Sequence, residues 1–178
     1  MNEATLISRG RAEISPCGQY RYLLSREVSQ CGGAVTFIML NPSTADASND
    51  DPTIRRCIGF ARKWGCGTLF VVNLFGRRAT DPAALRTTDD PVGPDNKSWL
   101  LWAVDRCVGD AMYSKQAYTI VCAWGTHGTY MDQDRTVLGW LDEVSVKRMA
   151  LGITKEGHPR HPLYVRADAP LIDFRGRP

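Results

Sequence analysis

T-F-I-M-L-N-P-S-T-A-D, the segment from Thr36 to Asp46, is the part of the chain from which the fold is predicted. Its first five residues are apolar or β-branched, as in a buried strand, and the apolar pattern stops at Asn41-Pro42-Ser43. In open α/β sheets, ligands bind beyond the carboxyl ends of the strands. The segment therefore predicts a central strand that ends in an amide, a proline and a hydroxyl beside a binding site.

Flanking segments extend this pattern into an alternation of strands and helices. Apolar runs predict further strands at residues 67–74, 118–123 and 146–151. Helical spacing predicts helices at residues 52–64, 95–107 and 137–144, with a short helix from residue 82. Asp51 is the expected N-cap of the first helix, and Gly65 its stop. The alternation predicts a three-layer α/β sandwich with a mostly parallel four-stranded central sheet.

The ends of the chain are predicted to be simpler. Residues 17–28 alternate as in a strand, which is expected at the N-terminal edge of the sheet. Cys31-Gly32-Gly33 predicts a turn, so that this strand and residues 34–40 form a hairpin. Residues 152–165 are rich in polar and turn residues and predict a loop. With 178 residues and 43% hydrophobic content, the chain is expected to fold as one domain, 1–178.

Composition argues against several classes of protein. The six cysteines include no C-x-x-C, and the three histidines show no paired zinc spacing, so we expect no metal and no cofactor. The N-terminus lacks the apolar core of a signal peptide, and no apolar run approaches membrane-spanning length. We therefore expect a cytoplasmic, monomeric protein with no membrane partner.

Charge gives weaker information about partners. The net charge of +3 is too small to indicate a polyanionic partner by itself, and alone it favours an ordinary solvated surface. Basic residues nevertheless coincide with predicted loops, as at Arg77-Arg78, Lys155 and Arg160. That coincidence favours a nucleic-acid partner.

Polar residues follow several of the predicted parallel strands. Asn41, Asn73, Trp124-Gly125 and the loop at 155–164 should gather along one edge of the sheet. The sequence contains neither a G-x-G-x-x-G nor a G-x-x-x-x-G-K-[ST] loop, which disfavours the common phosphate-binding loops. It also lacks G-x-S-x-G, and Ser43 has no base at a diagnostic spacing, so a serine hydrolase is disfavoured.

Several blocks of sequence together resemble a known family. They are M-L-N-P-S-T-A-D, D-D-P-T-I-R-R-C, V-V-N-L-F, R-A-T-D-P, P-V-G-P-D-N and P-R-H-P-L-Y, which span roughly residues 20–165. In combination they are similar to the bacterial family catalogued as domain of unknown function 1643. That resemblance implies no activity.

The order of features is also similar to the uracil-DNA glycosylase superfamily. There, a strand ends in G-[IQ]-[ND]-P, a second in an asparagine-containing loop, a third in a glycine, and a last loop carries H-P-S-P. Asn41-Pro42, Asn73, Gly125 and His161-Pro162 match these features in order. The resemblance implies a uracil-DNA-glycosylase-like fold in which Asn41 positions the attacking water, Asn73 lies near the base, and His161 lines a DNA-facing loop.

Breaking an N-glycosidic bond requires particular groups. Water must be oriented at a cationic sugar, and negative charge on the leaving base must be stabilised. The catalytic candidates are Asn41, Asp46 and His161; Asp51 is the alternative carboxylate, although we favour it as a helix cap. Base-binding candidates are Pro42, Ser43, Asn73, Phe75, Trp124 and Tyr164. DNA-binding candidates are Arg77, Arg78, Lys155 and Arg160.

The sequence thus predicts a DNA glycosylase that flips a base out of DNA and leaves an abasic site. Met39 replaces the usual glycine and Leu163-Tyr164 the second Ser-Pro, which favours a modified or unusual pyrimidine over uracil. Hypermodified phage DNA is one such substrate, with antiviral defence as the corresponding hypothesis. Two alternatives stay open: a hydrolase or transferase acting on free nucleosides or nucleotides, and a non-catalytic nucleic-acid-binding module.

Overall fold

Seven strands form one mixed sheet in the computed structural model, which describes residues 10–114 and 118–177. The strands are β1 (Gly10–Ile14), β2 (Arg21–Glu27), β3 (Ala34–Met39), β4 (Thr68–Asn73), β5 (Thr119–Cys122), β6 (Arg148–Ala150) and β7 (Ile172–Asp173). The helices are α1 (Pro52–Lys63), α2 (Asn96–Ser114) and α3 (Gln133–Glu143), with 3₁₀ turns at Pro82–Thr87, Thr126–Asp132 and Pro162–Tyr164. The predicted α/β class is confirmed.

The sheet order is β1-β2-β4-β3-β5-β6-β7. Its four central strands, β4, β3, β5 and β6, pair in parallel. They are the four strands that the apolar runs predict. Antiparallel pairing adds β1 and β2 at one side and β7 at the other, so the sheet has seven strands rather than four plus one.

Helices cover both faces of the sheet. The buried face of α1 packs with one side of the strands through residues such as Ile54 and Phe60. On the other side, α2 and α3 pack through residues such as Leu100 and Val137. Strand residues are shared between the two clusters because successive side chains point to opposite faces. The central strands are therefore buried on both sides, which explains their continuous apolar sequences.

Helix α1 begins and ends where its sequence predicts. The carboxylate of Asp51 accepts a hydrogen bond from the Ile54 N–H (2.9 Å), and Pro52 occupies the first turn. Gly65, at a φ of 69°, follows the C-cap residue Trp64. The predicted N-cap and stop are both confirmed.

The predicted hairpin between residues 17–28 and 34–40 is wrong. Strand β2 pairs with β1 and β4, because both edges of β3 are occupied by the parallel neighbours β4 and β5. The edge position belongs to β1, a partly exposed strand without a strong apolar pattern. The connection from β2 to β3 instead crosses the start of β4, where Gly67 donates to the Gly33 carbonyl (2.8 Å).

The C-terminal part has more order than the predicted loop. An isolated bridge joins Ile153 to Pro159, and the chain later returns to the sheet as β7. Among the described residues, no helix combines the length and apolar character needed to cross a membrane.

Candidate functional site

A crevice opens where the direction of the chain across the sheet reverses. From β3 the chain crosses through α1 to β4 on one side, whereas from β5 it crosses through α3 to β6 on the other. The switch point therefore lies between the carboxyl ends of β3 and β5. Crevices at such points are the usual ligand sites of open α/β sheets.

A cleft of about 730 Å³ occupies this position. Its walls come from the loops after β3 and β5, the start of α1, the segment at 79–82 and the loop at 154–164. Hydroxyl groups are frequent in the lining, which includes Ser43, Thr44, Thr53, Thr80, Thr126 and Thr154. The cleft is therefore suited to a polar organic ligand, and its size is in the range of pockets that hold drug-sized molecules.

Asn41 lies at the end of β3, half-buried in the cleft wall. Its Nδ2 donates to the carbonyls of Ala79 (2.7 Å) and Pro42 (3.2 Å). Both amide protons are thus used by the protein, which fixes the orientation of the side chain. The Oδ1 atom has no hydrogen-bond donor among the described residues and is available as an acceptor.

Two buried arginines hold the loop that follows β3. Arg26 is 2% exposed, and its guanidinium donates to the Asp50 carboxylate (2.8 Å) and the Asp46 carbonyl (2.6 Å). Arg21 is equally buried and donates to the Ala45 carbonyl (2.6 Å). Sequence reasoning missed their role, because an edge strand was expected to expose them. Two cations inside β2 were the signal.

The acidic residues near the motif separate into two roles. Asp46 lies outside the cleft lining, and its carboxylate accepts from the N–H groups of Ser48 and Asn49 (both 2.8 Å). These hydrogen bonds lower the pKa of Asp46 and make it a structural turn residue. Asp51 lines the cleft while also capping α1. Burial of the nearby Arg21 lowers the pKa of that guanidinium to about 10, and attraction to Asp51 opposes the shift.

His161 lies in the opposite wall, in the loop that ends at Tyr164. Its Nδ1 accepts from the Leu163 N–H (3.3 Å), so the neutral ring carries its proton on Nε2. Burial lowers the pKa of His161, and attraction to the Asp51 carboxylate partly opposes this. The ring is therefore neutral at pH 7, with Nε2 as a hydrogen-bond donor.

Aromatic residues line two parts of the cleft. Trp124 follows β5, is 2% exposed, and is fixed by an edge-to-face contact with Phe174 at 5.8 Å between ring centroids. Tyr164 lies at the rim and is 78% exposed, with its ring 5.6 Å from that of His161. Trp124 is thus a rigid wall, whereas Tyr164 presents a free ring face to an incoming ligand.

Three of the predicted base-binding residues do not line the cleft. Asn73 and Phe75 are buried in the core beyond β4, at 1% and 0% exposed, so neither can contact a ligand there. The buried Asn96 side chain fixes this strand end by donating to the Asn73 carbonyl (3.0 Å). Pro42 is also buried, and its carbonyl accepts from the Ala79 N–H (2.9 Å).

The predicted DNA-binding residues are divided as well. Arg160 lines the cleft. Arg77 and Arg78 lie behind it, where Arg77 contacts Gln19 and lies over the ring of Tyr20 at 5.9 Å. Lys155 is exposed beside the lining residue Thr154. Only one of the four thus reaches the cavity.

Comparisons with known proteins agree with the first of the two resemblances. A family model described as "Protein of unknown function (DUF1643)" matches residues 21–163. No curated protein and no solved structure matches the chain. The matched range runs from the first residue of β2 into the 3₁₀ turn after His161 and includes nearly all of the cleft lining. The protein therefore belongs to the DUF1643 family.

Proposed function

We propose that the protein is a DNA glycosylase that hydrolyses the N-glycosidic bond of a modified pyrimidine nucleotide extruded from DNA. The observation that carries the proposal is the cleft at the switch point, whose walls hold Asn41, Asp51 and His161 around one cavity. The resemblance of the strand-end motifs to uracil-DNA glycosylases supports the same reaction and a related fold. Asp51 takes the place of Asp46 as the carboxylate in this proposal.

The water is the first reactant that the site must orient. The free Oδ1 of Asn41 accepts a hydrogen bond from it, and the amide does so without changing its protonation state. The Asp51 carboxylate lies in the same cleft and stabilises the positive charge that develops on the sugar. The water oxygen bonds to the anomeric carbon as the carbon–nitrogen bond breaks, and its proton passes to Asp51 or solvent.

The leaving base receives the electron pair of the broken bond. Nε2 of the neutral His161 donates a hydrogen bond to the resulting anion and lowers the energy of the transition state. The base then acquires a proton from solvent and leaves as the neutral molecule. Stacking on the exposed ring of Tyr164 contributes about 1–3 kcal/mol to holding an extruded base.

The size and lining of the cleft support a substituted base. About 730 Å³ exceeds what water and an unsubstituted pyrimidine need, and the hydroxyl-rich walls favour a polar substituent. Hypermodified bases of phage DNA have this character, so antiviral defence is the role that the proposal implies.

A second candidate is hydrolysis or transfer on a free nucleoside or nucleotide. It is favoured by one observation: Arg160 alone among the predicted DNA-binding residues lines the cavity. The two candidates differ in the substrate they need, because a free nucleoside carries no flanking phosphates.

The test is a panel of genomic DNAs with different natural base modifications, incubated with the protein. A glycosylase releases a free base, identified by mass, and leaves alkali-labile abasic sites in the DNA. Parallel reactions contain the corresponding free nucleosides. Base release from DNA alone supports the first candidate, release from nucleosides alone supports the second, and release from neither contradicts both.

A further inference from the structure

A second concave surface lies along the exposed side of α1. This α1 groove has a volume of about 660 Å³ and is lined by Arg55, Arg56, Gly59, Phe60, Lys63, Arg166, Ala167 and Asp168. Four of these eight residues are cations, and one is an acid. The groove is thus far more basic than the chain as a whole, whose net charge is +3.

The single acid does not neutralise the groove. Asp168 is already paired with Arg166, whose Nε lies 2.9 Å from its carboxylate. Arg55 uses its guanidinium to reach the Asp50 carbonyl, a neutral acceptor that leaves its charge uncompensated. Lys63 is exposed at the last turn of α1, beside the exposed Arg62. The groove therefore has an excess of positive charge that suits a polyanion.

Two segments connect the groove to the cleft. Helix α1 contributes Pro52 and Thr53 to the cleft and its next turns to the groove. The chain after His161 does the same, passing from Tyr164 in the cleft to Arg166 in the groove. A ligand that leaves the cleft over this rim meets the groove directly.

Arg56 joins these two segments. Its Nε donates to the Pro162 carbonyl (3.3 Å), and its NH2 group donates to the Val165 carbonyl. The guanidinium also lies over the Phe60 ring, 5.3 Å from the centroid. Groove and cleft rim are therefore held in one fixed relation.

We propose that the α1 groove binds the sugar-phosphate backbone of the nucleic-acid strand that flanks the nucleotide in the cleft. This inference rests on the proposed function and supplies the cationic surface that Arg77 and Arg78 do not provide. From Arg55 to Lys63 the helix rises about 12 Å, which spans about three phosphates of one strand. A concave, chain-width groove continuous with a cleft fits a strand better than a flat membrane surface.

Gly59 provides the sharpest test because it lies within the groove. A Cβ added there meets no atom within 4 Å, so substitution is sterically tolerated. Gly59→Glu places a negative charge in the groove, and Gly59→Gln is its neutral match. Affinity for a fluorescein-labelled single-stranded oligonucleotide, measured by polarisation, should fall about tenfold or more in Gly59→Glu relative to Gly59→Gln. Equal affinity of the two variants would overturn the proposal.

Salt dependence provides an independent measurement. Lys63→Ala should reduce the slope of log affinity against log salt by about 0.7 to 0.9, the value for one lost phosphate contact. Arg135→Ala is the matched control, because Arg135 is exposed on α3, on the other face of the sheet. Equal slopes in wild type and Lys63→Ala, or tighter binding to anionic vesicles or an acidic peptide than to the oligonucleotide, would contradict it.

Binding and hydrolysis can fail separately. If the groove variants lose affinity but no DNA yields a free base, the groove is supported and the glycosylase proposal fails. If base is released from DNA and Gly59→Glu still matches Gly59→Gln in affinity, the glycosylase proposal is supported and the groove fails.

Discussion

His161 illustrates how the surroundings of one residue set its chemistry. The Leu163 N–H occupies its Nδ1, and burial disfavours its charged form. Burial thus keeps the ring neutral, and the hydrogen bond sets which nitrogen can donate. Sequence alone identified the residue from the His-Pro pair but could not give its protonation state, which depends on atoms contributed by other segments.

The lowered pKa of His161 has a consequence for stability. The unfolded chain binds a proton at about pH 6.5, whereas the folded chain binds it only at lower pH. The contribution of His161 is therefore fully present above pH 6.5 and is lost as pH falls through the folded pKa. Urea unfolding of wild type and His161→Gln at pH 7.5 and pH 5 should show a smaller loss of stability in the variant. An identical loss in both proteins would mean that burial does not disfavour the charged ring.

The carboxylates show where residue-level prediction fails. Asp46 and Asp51 are both close to Asn41 in sequence, and the sequence favoured Asp46 as catalytic. The intervening loop is held by Arg21 and Arg26, which turns the Asp46 carboxylate toward its own backbone. A residue of β2 thus determines which acid reaches the cleft, and no local pattern contains that information.

At the scale of elements, the loop from Asn41 to Asp50 depends on Arg26. Arg26→Ala removes a buried cation that binds Asp50, Asp46 and Asn49, and should lower the free energy of unfolding by about 3 kcal/mol. Lys147→Ala is the control, because its ion pair with Asp173 is exposed and should contribute little. Urea unfolding measures both. Equal effects of the two substitutions would refute the anchoring role.

The connection between β2 and β3 makes a second element-scale prediction. Gly32 has a φ of 121°, and a Cβ there would lie 2.1 Å from the Gly65 carbonyl oxygen. Gly32→Ala should therefore destabilise the fold by at least about 1 kcal/mol. Gly59→Ala, in open space within α1, should instead stabilise it by up to about 1 kcal/mol. Thermal unfolding of both variants checks the opposite signs, and a neutral Gly32→Ala would contradict the crossing.

Long apolar runs made the central strands predictable, whereas pairing was harder to predict. Residues 67–74 and 118–123 read as strands because both faces are buried. The hairpin was mispredicted because local turn residues do not reveal that β4 inserts between β2 and β3. Strands β1 and β7 were missed because they are short and partly exposed at the two edges.

For the whole molecule, topology places the candidate site. The reversal between β3 and β5 opens the crevice, and the polar residues after each strand become its walls. This much follows from recognising an α/β alternation. Which strand-end side chains face the crevice does not follow, since Asn73 and Phe75 turn into the core while Asn41 lines the cavity.

The central claim is that Asn41 orients water for attack on a sugar carbon in this cleft. The most direct measurement is the single-turnover rate of abasic-site formation, on the DNA that yields a free base, for wild type, Asn41→Ala and the amide control Gln30→Ala, whose side chain is exposed outside the cleft. Thermal unfolding of all three checks that they are folded. We predict a loss of about 100-fold or more in Asn41→Ala and none in Gln30→Ala. A folded Asn41→Ala protein that forms abasic sites at the wild-type rate would contradict the account.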